Sequence, residues 1–194
     1  MTQDEFKASV READAENFVR DKLFDVECWL FEQAELVAPD ASYQKFRRAV
    51  ADLTEINSNE VNLVGSSKFG FSMSPIKAWR PFNPAQSDLD CAIVSPELYR
   101  DTVDAVRRAY FEGYSHLNRD HANQIFAGHI VLSTSESYKS AYLKDAARRL
   151  MDLQKVASKF LRFEPDVKYR IYESFRVAEA YHSEGVRKLQ NLED

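Results

Sequence analysis

Two short runs, Val61-Asn62-Leu63-Val64-Gly65-Ser66 and Ser87-Asp88-Leu89-Asp90-Cys91-Ala92-Ile93-Val94, decide how this chain is read. Val61 to Val64 has the β-branched bias of a short strand and runs straight into Gly65-Ser66. A loop follows from Phe69 to Ser87, holding Gly70, Pro75, Pro81 and Pro84, with a helical turn expected near Ile76 to Trp79. The second strand opens on Asp-x-Asp. Side chains alternate along a strand, so Asp88 and Asp90 share a face while Leu89, Cys91 and Ile93 point the other way, into a core. Adjacent carboxylates repel each other, and a cation between them removes the repulsion. Hard oxygen donors suit Mg²⁺, which binds through one or two carboxylates plus substrate phosphates. Gly65 has no side chain and Ser66 a small one, so the turn's amides and the Ser66 hydroxyl can approach a phosphate closely. Metal-holding carboxylates facing such a turn describe a phosphoryl or nucleotidyl transfer site. Singly, Asp-x-Asp reads as a solvated strand end and Gly-Ser as an ordinary turn; their order along the chain is what points to chemistry.

Working outward, Phe6, Val10 and Ala13, then Val19, Leu23, Val26, Leu30 and Ala34, recur at helical steps and predict one long helix over residues 2 to about 36. Ser42 caps a second helix with Phe46, Val50 and Leu53 on its apolar face, stopped by Asn57-Ser58-Asn59. Beyond the second strand, Pro96-Glu97 opens a helix that ends near Gly113. Ile125 to Leu132 reads as a strand or as part of a loop around Gly128. Residues 138 to 163 read as helix, Val167 to Tyr172 as a strand, and Phe175 to Leu189 as a closing helix. The expectation is α+β: a small mixed sheet flanked by helices, in one domain over residues 1–194. Within it, residues 1–57 form a helical N-terminal part, 60–95 the phosphate and metal motif, and 138–190 a helical part with one strand.

Composition bounds the function. The 194 residues are 44% hydrophobic and 12% aromatic, which excludes a disordered or low-complexity chain. Twenty-six Lys and Arg against 31 Asp and Glu give a formal charge of -5, so bulk charge does not argue for a duplex-coating protein. No apolar run approaches a membrane span, and the acidic, polar start does not read as a signal peptide. Cys28 and Cys91 make neither a disulfide framework nor a zinc pattern and read as buried thiols, consistent with a cytoplasmic location. His116, His121, His129 and His182 share no ligand spacing.

Gly65-Ser66 followed by Asp88-Leu89-Asp90 resembles the signature of the DNA polymerase β-like nucleotidyltransferase superfamily, over about residues 60 to 95. The resemblance implies a small mixed sheet and transfer of a nucleoside monophosphate from an NTP or dNTP to a hydroxyl, on an oligonucleotide or a protein, with two Mg²⁺ ions. It further implies that Gly65 and Ser66 hold the triphosphate and that Asp88 and Asp90 are catalytic and hold the metals. Within the superfamily the chain looks closest to small bacterial members of antiviral loci, the cyclic-nucleotide synthases and the Hailong nucleotidyltransferases. That would imply a role in antiviral defence with an effector encoded alongside.

The chain departs from the pattern twice. Its loop between the two motif elements is long, and residues 69 to 86 read either as a substrate lid offering Lys77, Trp79 and Arg80 or as a packed surface loop. The superfamily also supplies a third carboxylate on a following strand, whereas Val167-Lys168-Tyr169-Arg170-Ile171-Tyr172-Glu173 has a basic centre. Asp166 and Glu173, which flank that centre, and Glu136, on a less readable stretch, are the alternative candidates for the third ligand, and Asp166 joins Asp88 and Asp90 in the expected metal set. Lys68 and Arg170 are expected to bind nucleotide, Lys68 against phosphate or else in solvent, Arg170 toward the triphosphate or else as an exposed strand residue. Ser174, Tyr172 and Tyr181 are candidate acceptor hydroxyls for self-priming. Phe18, Phe24, Trp29 and Phe31 make a wide apolar face that predicts either core or a homo-oligomer contact. Two other readings compete: a catalytically silent module of this fold that binds nucleotide or a partner protein, and a helical interaction protein in which Asp88 and Asp90 lie far from Gly65.

Overall fold

The computed structural model describes residues 2–113, 119–134 and 137–192. Four strands, β1 (Val61–Val64), β2 (Leu89–Val94), β3 (His129–Ser133) and β4 (Val167–Tyr172), form one mixed sheet in the order β1-β2-β4-β3. β1 pairs antiparallel with β2, β2 parallel with β4, and β3 antiparallel with β4. The class is α+β, as the sequence predicts.

Both faces of the sheet are covered. Leu89, Cys91 and Ile93 of β2 and Val167, Tyr169 and Ile171 of β4 face a core with Phe46, Val50, Val103 and Leu150. Those come from α4 (Tyr43–Thr54), α6 (Pro96–Phe111) and α8 (Lys144–Phe160). Each such side chain contributes about 1.5–3 kcal/mol on burial. Ser42 caps α4 as expected, and Ser95 with Pro96 opens α6. Cys28 and Cys91 are buried free thiols, each pushed up to about 12, by burial above all.

The opposite face is divided along its length. Ala92, Val94, Val64 and Tyr172 lie under α1 (Gln3–Glu12), α2 (Ala15–Phe18) and the closing helix α9 (Phe175–Gln190), packed with Phe6, Phe18, Val186 and Leu189. Asp90 lies earlier on the same face, and Asp88 stands just ahead of β2, outside the strand that the sequence predicts to open there; their side chains are 26% and 29% exposed. The strand is thus polar where the helices leave the sheet open and apolar where they cover it. The stretch read as strand or loop resolves into α7 (Arg119–Phe126), then β3. Glu136 and His116 lie outside the described residues.

The long N-terminal helix is not there. α1 ends at Glu12, α2 leads into a π-helical turn over Val19–Leu23, and α3 spans only Trp29–Glu32. Two local causes break it. Asp14 turns its carboxylate back on the Asn17 amide at 3.0 Å and starts a new helix. Further on, the ammonium of Lys68, buried at 4% exposure, takes the Asp25 carbonyl at 3.2 Å, the Asp25 carboxylate at 2.5 Å and the Glu27 carbonyl. A continuous helix would have committed those carbonyls to its own amides. The aromatic face is consumed within the chain, so it gives no basis for an oligomer. Phe18 packs on Phe69, Trp29 on Phe82, Phe31 on Tyr43 and Phe46, and Phe24 on Phe175.

Candidate phosphate and metal site

The antiparallel register sets Val64 opposite Asp90. The residue after Val64 therefore turns across the carboxylate. Gly65 takes φ +69° and ψ -143°, and a Cβ there would lie 3.3 Å from Asp90 Oδ2. Both the conformation and the contact demand glycine. Ser66 starts a single helical turn, α5 (Ser66–Phe69). The parallel register sets Asp90 opposite Lys168 and Ala92 opposite Arg170, on the same face.

These elements line one cleft of about 600 Å³. Gly65, Ser66, Asp88 and Asp90 are in its wall, with Lys77 and Arg80 from the loop, Lys168 and Arg170 from β4, and Lys188 from α9. Five basic side chains stand against three acidic ones, Asp88, Asp90 and Glu184, so the wall is net basic although the chain is net acidic. The separation of Asp88 and Asp90 from Gly65 required by an incidental Asp-x-Asp is absent.

Lys168 Nζ donates to Asp88 Oδ2 at 2.5 Å. Burial alone would lower this ammonium's pKa; the Asp88 hydrogen bond and the Asp90 charge outweigh it and leave it raised. Burial raises the Asp90 carboxyl, against the pull of Arg170 and Lys168, and the Asp88 charge raises it further. Arg170 Nη2 stands 3.8 Å from Asp90 Oδ1, an attractive distance beyond hydrogen bonding, and that oxygen has no hydrogen-bond partner. Arg170 Nη1 donates to the Tyr181 hydroxyl at 2.8 Å, while its Nε is unpartnered. A carboxylate oxygen and a guanidinium N–H of the cleft wall are thus both buried without a hydrogen-bond partner.

Two carboxylates, one with a free oxygen, fit a single hard cation completed by phosphate oxygens. A third carboxylate does not join them. Asp166 is exposed, absent from the cleft wall, and uses its backbone carbonyl to accept from Leu89. Glu173 is exposed and follows the far end of β4, past Tyr172 opposite Val94. Among the described residues, no group of three or more His, Cys, Asp or Glu is placed to hold a metal ion.

Other expected residues sort themselves by position. Lys77 and Arg80 line the cleft, but Trp79 is buried edge-on against Phe6 and cannot reach a base. Lys68, expected to bind nucleotide, lines a separate cavity of about 560 Å³, where Asp25 and the Glu27 carbonyl hold it, and is not in the wall of the cleft. Of the candidate acceptors, Ser174 caps α9 and Tyr172 is buried with its hydroxyl 2.9 Å from His182 Nε2. Tyr181, 40% exposed, is the one in the cleft wall. His182 and His129 are pushed down to about 3 and about 4, each mainly by burial and next by the Arg170 charge. They are neutral at ordinary pH and add no positive charge. Lys188 escaped the sequence reading, because nothing local marks a helix lysine 98 residues from Asp90 as its neighbour.

No family model matches the chain, and no curated protein or solved structure matches it.

Proposed function

We propose that this chain is a metal-dependent nucleotidyltransferase that moves a nucleoside monophosphate from an NTP or dNTP to a hydroxyl of an oligonucleotide or protein. One observation carries the reading: Gly65, Ser66, Asp88 and Asp90 converge on a cleft whose remaining wall is basic. Lys77, Arg80 and Lys188 are placed to neutralise a triphosphate, and Arg170 has an N–H to give it. The Gly65 turn lets phosphate come close to the backbone beside the carboxylates. Asp88 and Asp90 would hold Mg²⁺, which supplies charge neutralisation at the phosphates. The acceptor oxygen forms a bond to the α-phosphorus as the bond to the bridging oxygen breaks; pyrophosphate leaves and the hydroxyl proton passes to solvent. A place in antiviral defence and a neighbouring effector rest on the superfamily resemblance alone.

A specific observation favours a second reading. Lys168, rather than a carboxylate, stands opposite Asp90, as a module that binds nucleotide or a partner without turnover would allow. Pyrophosphate release separates the two. The purified chain is incubated with each labelled NTP and dNTP, with and without Mg²⁺, beside an Asp88→Ala/Asp90→Ala control. Metal-dependent product and pyrophosphate, both lost in the control, are expected. Nucleotide binding with no pyrophosphate in any condition would assign the silent module instead.

A further inference from the structure

Resting on the nucleotide-binding reading above, we infer that Lys168 occupies the place of a second divalent ion, so the cleft takes a nucleoside triphosphate with one metal ion rather than two. The register places it there: Lys168 is the residue of β4 directly opposite Asp90, on the face that carries both carboxylates. Its ammonium already neutralises Asp88 at 2.5 Å, and Arg170, next on the same face, stands 3.8 Å from Asp90. A second divalent ion would need at least one more carboxylate; among the described residues no group of three or more His, Cys, Asp or Glu is placed to hold a metal, and Glu184, the third acidic residue of the wall, pairs with Lys188 at 3.5 Å. It would also have to sit beside an ammonium that the fold holds against Asp88. A single ion needs no further carboxylate, because Asp90 Oδ1 has no hydrogen-bond partner and triphosphate oxygens would complete the shell.

The substitution has a chemical consequence. In a two-ion site the second ion stabilises the acceptor oxygen as it loses its proton. Here the Lys168 ammonium does so as a fixed charge. Held by its hydrogen bond to Asp88 and set opposite Asp90, it acts as an electrostatic partner and not as a base. The hydroxyl proton goes to solvent, the oxygen–phosphorus bond forms, and pyrophosphate carries away the electron pair of the broken bond.

The test counts ions. The full chain is dialysed against Mn²⁺ with each of the α,β-methylene ribo- and deoxyribonucleoside triphosphates in turn, which cannot release pyrophosphate. Retained Mn²⁺ is counted by electron paramagnetic resonance after acid release, and retained nucleotide by absorbance. One ion per bound nucleotide is expected for the natural chain and two for Lys168→Asp, which rebuilds a three-carboxylate set. Lys168→Met, which removes charge without adding a ligand, is expected to stay at one. Two ions on the natural chain, or none, would overturn the inference while leaving nucleotide binding intact. A folded Lys168→Asp protein that still holds one ion would overturn it too, and folding is read by circular dichroism. If that variant does not fold, the count on the natural chain decides. No nucleotide retained with any analogue would sink the binding reading itself, and this inference with it.

Discussion

Asp90 presses its carboxylate against Gly65, leaving only 3.3 Å between Oδ2 and the point where a Cβ would begin. A side chain at 65 would therefore press on the carboxylate of the metal-facing strand from the phosphate-facing turn. Gly65→Ala must adopt φ +69° with a side chain and displace the carboxylate. A loss of about 1–3 kcal/mol is expected in urea unfolding. Triphosphate affinity should fall alongside, by about tenfold in a titration, since the turn and Asp90 are displaced together. Unchanged affinity in a destabilised variant would separate the turn from the site.

The two carboxylates should respond differently to neutral replacement. Asp90 is half-buried, with one oxygen buried and unpartnered, and desolvation already disfavours its charge. Asp90→Asn should therefore leave the melting temperature unchanged or raise it by about 2–4 °C, while product formation falls by at least about 100-fold. Asp88→Asn leaves Lys168 without its ion pair and should lower both quantities. Differential scanning calorimetry beside the transfer assay reads the pair; equal stability losses would show that neither carboxylate is held at a cost.

Lys68 is predicted to be structural. Removing its ammonium in Lys68→Met leaves the Asp25 and Glu27 carbonyls without their donor. A destabilisation of about 2 kcal/mol is expected, below the about 3–5 kcal/mol of a fully buried broken pair because the Asp25 side chain is 30% exposed. Amide exchange should quicken over residues 14 to 28, with triphosphate affinity within about twofold of the natural chain. A large affinity loss would return Lys68 to the nucleotide site.

Acid should destabilise the chain through His129 and His182. Both have folded pKa values below the ordinary histidine value of about 6.5, at about 4 and about 3. The unfolded chain therefore binds more protons as pH falls through 6.5, and folding free energy is lost from there down toward the folded values. The slope should be about 1 kcal/mol per pH unit for each histidine. Urea midpoints between pH 7.5 and 4.5 check this. The His182→Gln variant should flatten the dependence, and an unchanged slope would place the acid sensitivity elsewhere.

Much of the frame was legible in the residues. β1 spans the four residues whose β-branched bias predicts it, and β4 the six whose alternation predicts it. Ser42, Pro96 and Phe175 stand where helices were expected to start. What misled was the N-terminal stripe. Helical spacing from Phe6 to Ala34 is real, but it does not say whether the backbone between those side chains is continuous, and two of them, Val26 and Ala34, end up exposed. The breaks at Asp14 and Asp25 come from a side-chain cap and from a lysine 43 residues further along. Only the first is visible locally.

By itself, the sequence determined that Asp88 and Asp90 share a face and that a small-residue turn follows β1, because both are properties of a few consecutive residues. Alternation along a strand needs no knowledge of its neighbours. Tertiary structure alone decided what those carboxylates meet. Strand order put β4 beside β2, and parallel register set Lys168 against Asp90, where Asp166 would otherwise have had to reach. The same packing left Lys68 out of the cleft wall and brought Lys188 to it. A side chain's partner across a sheet depends on which strand lies alongside and in what register. That is set by burying both faces of the whole sheet at once, not by any stretch of the chain read alone.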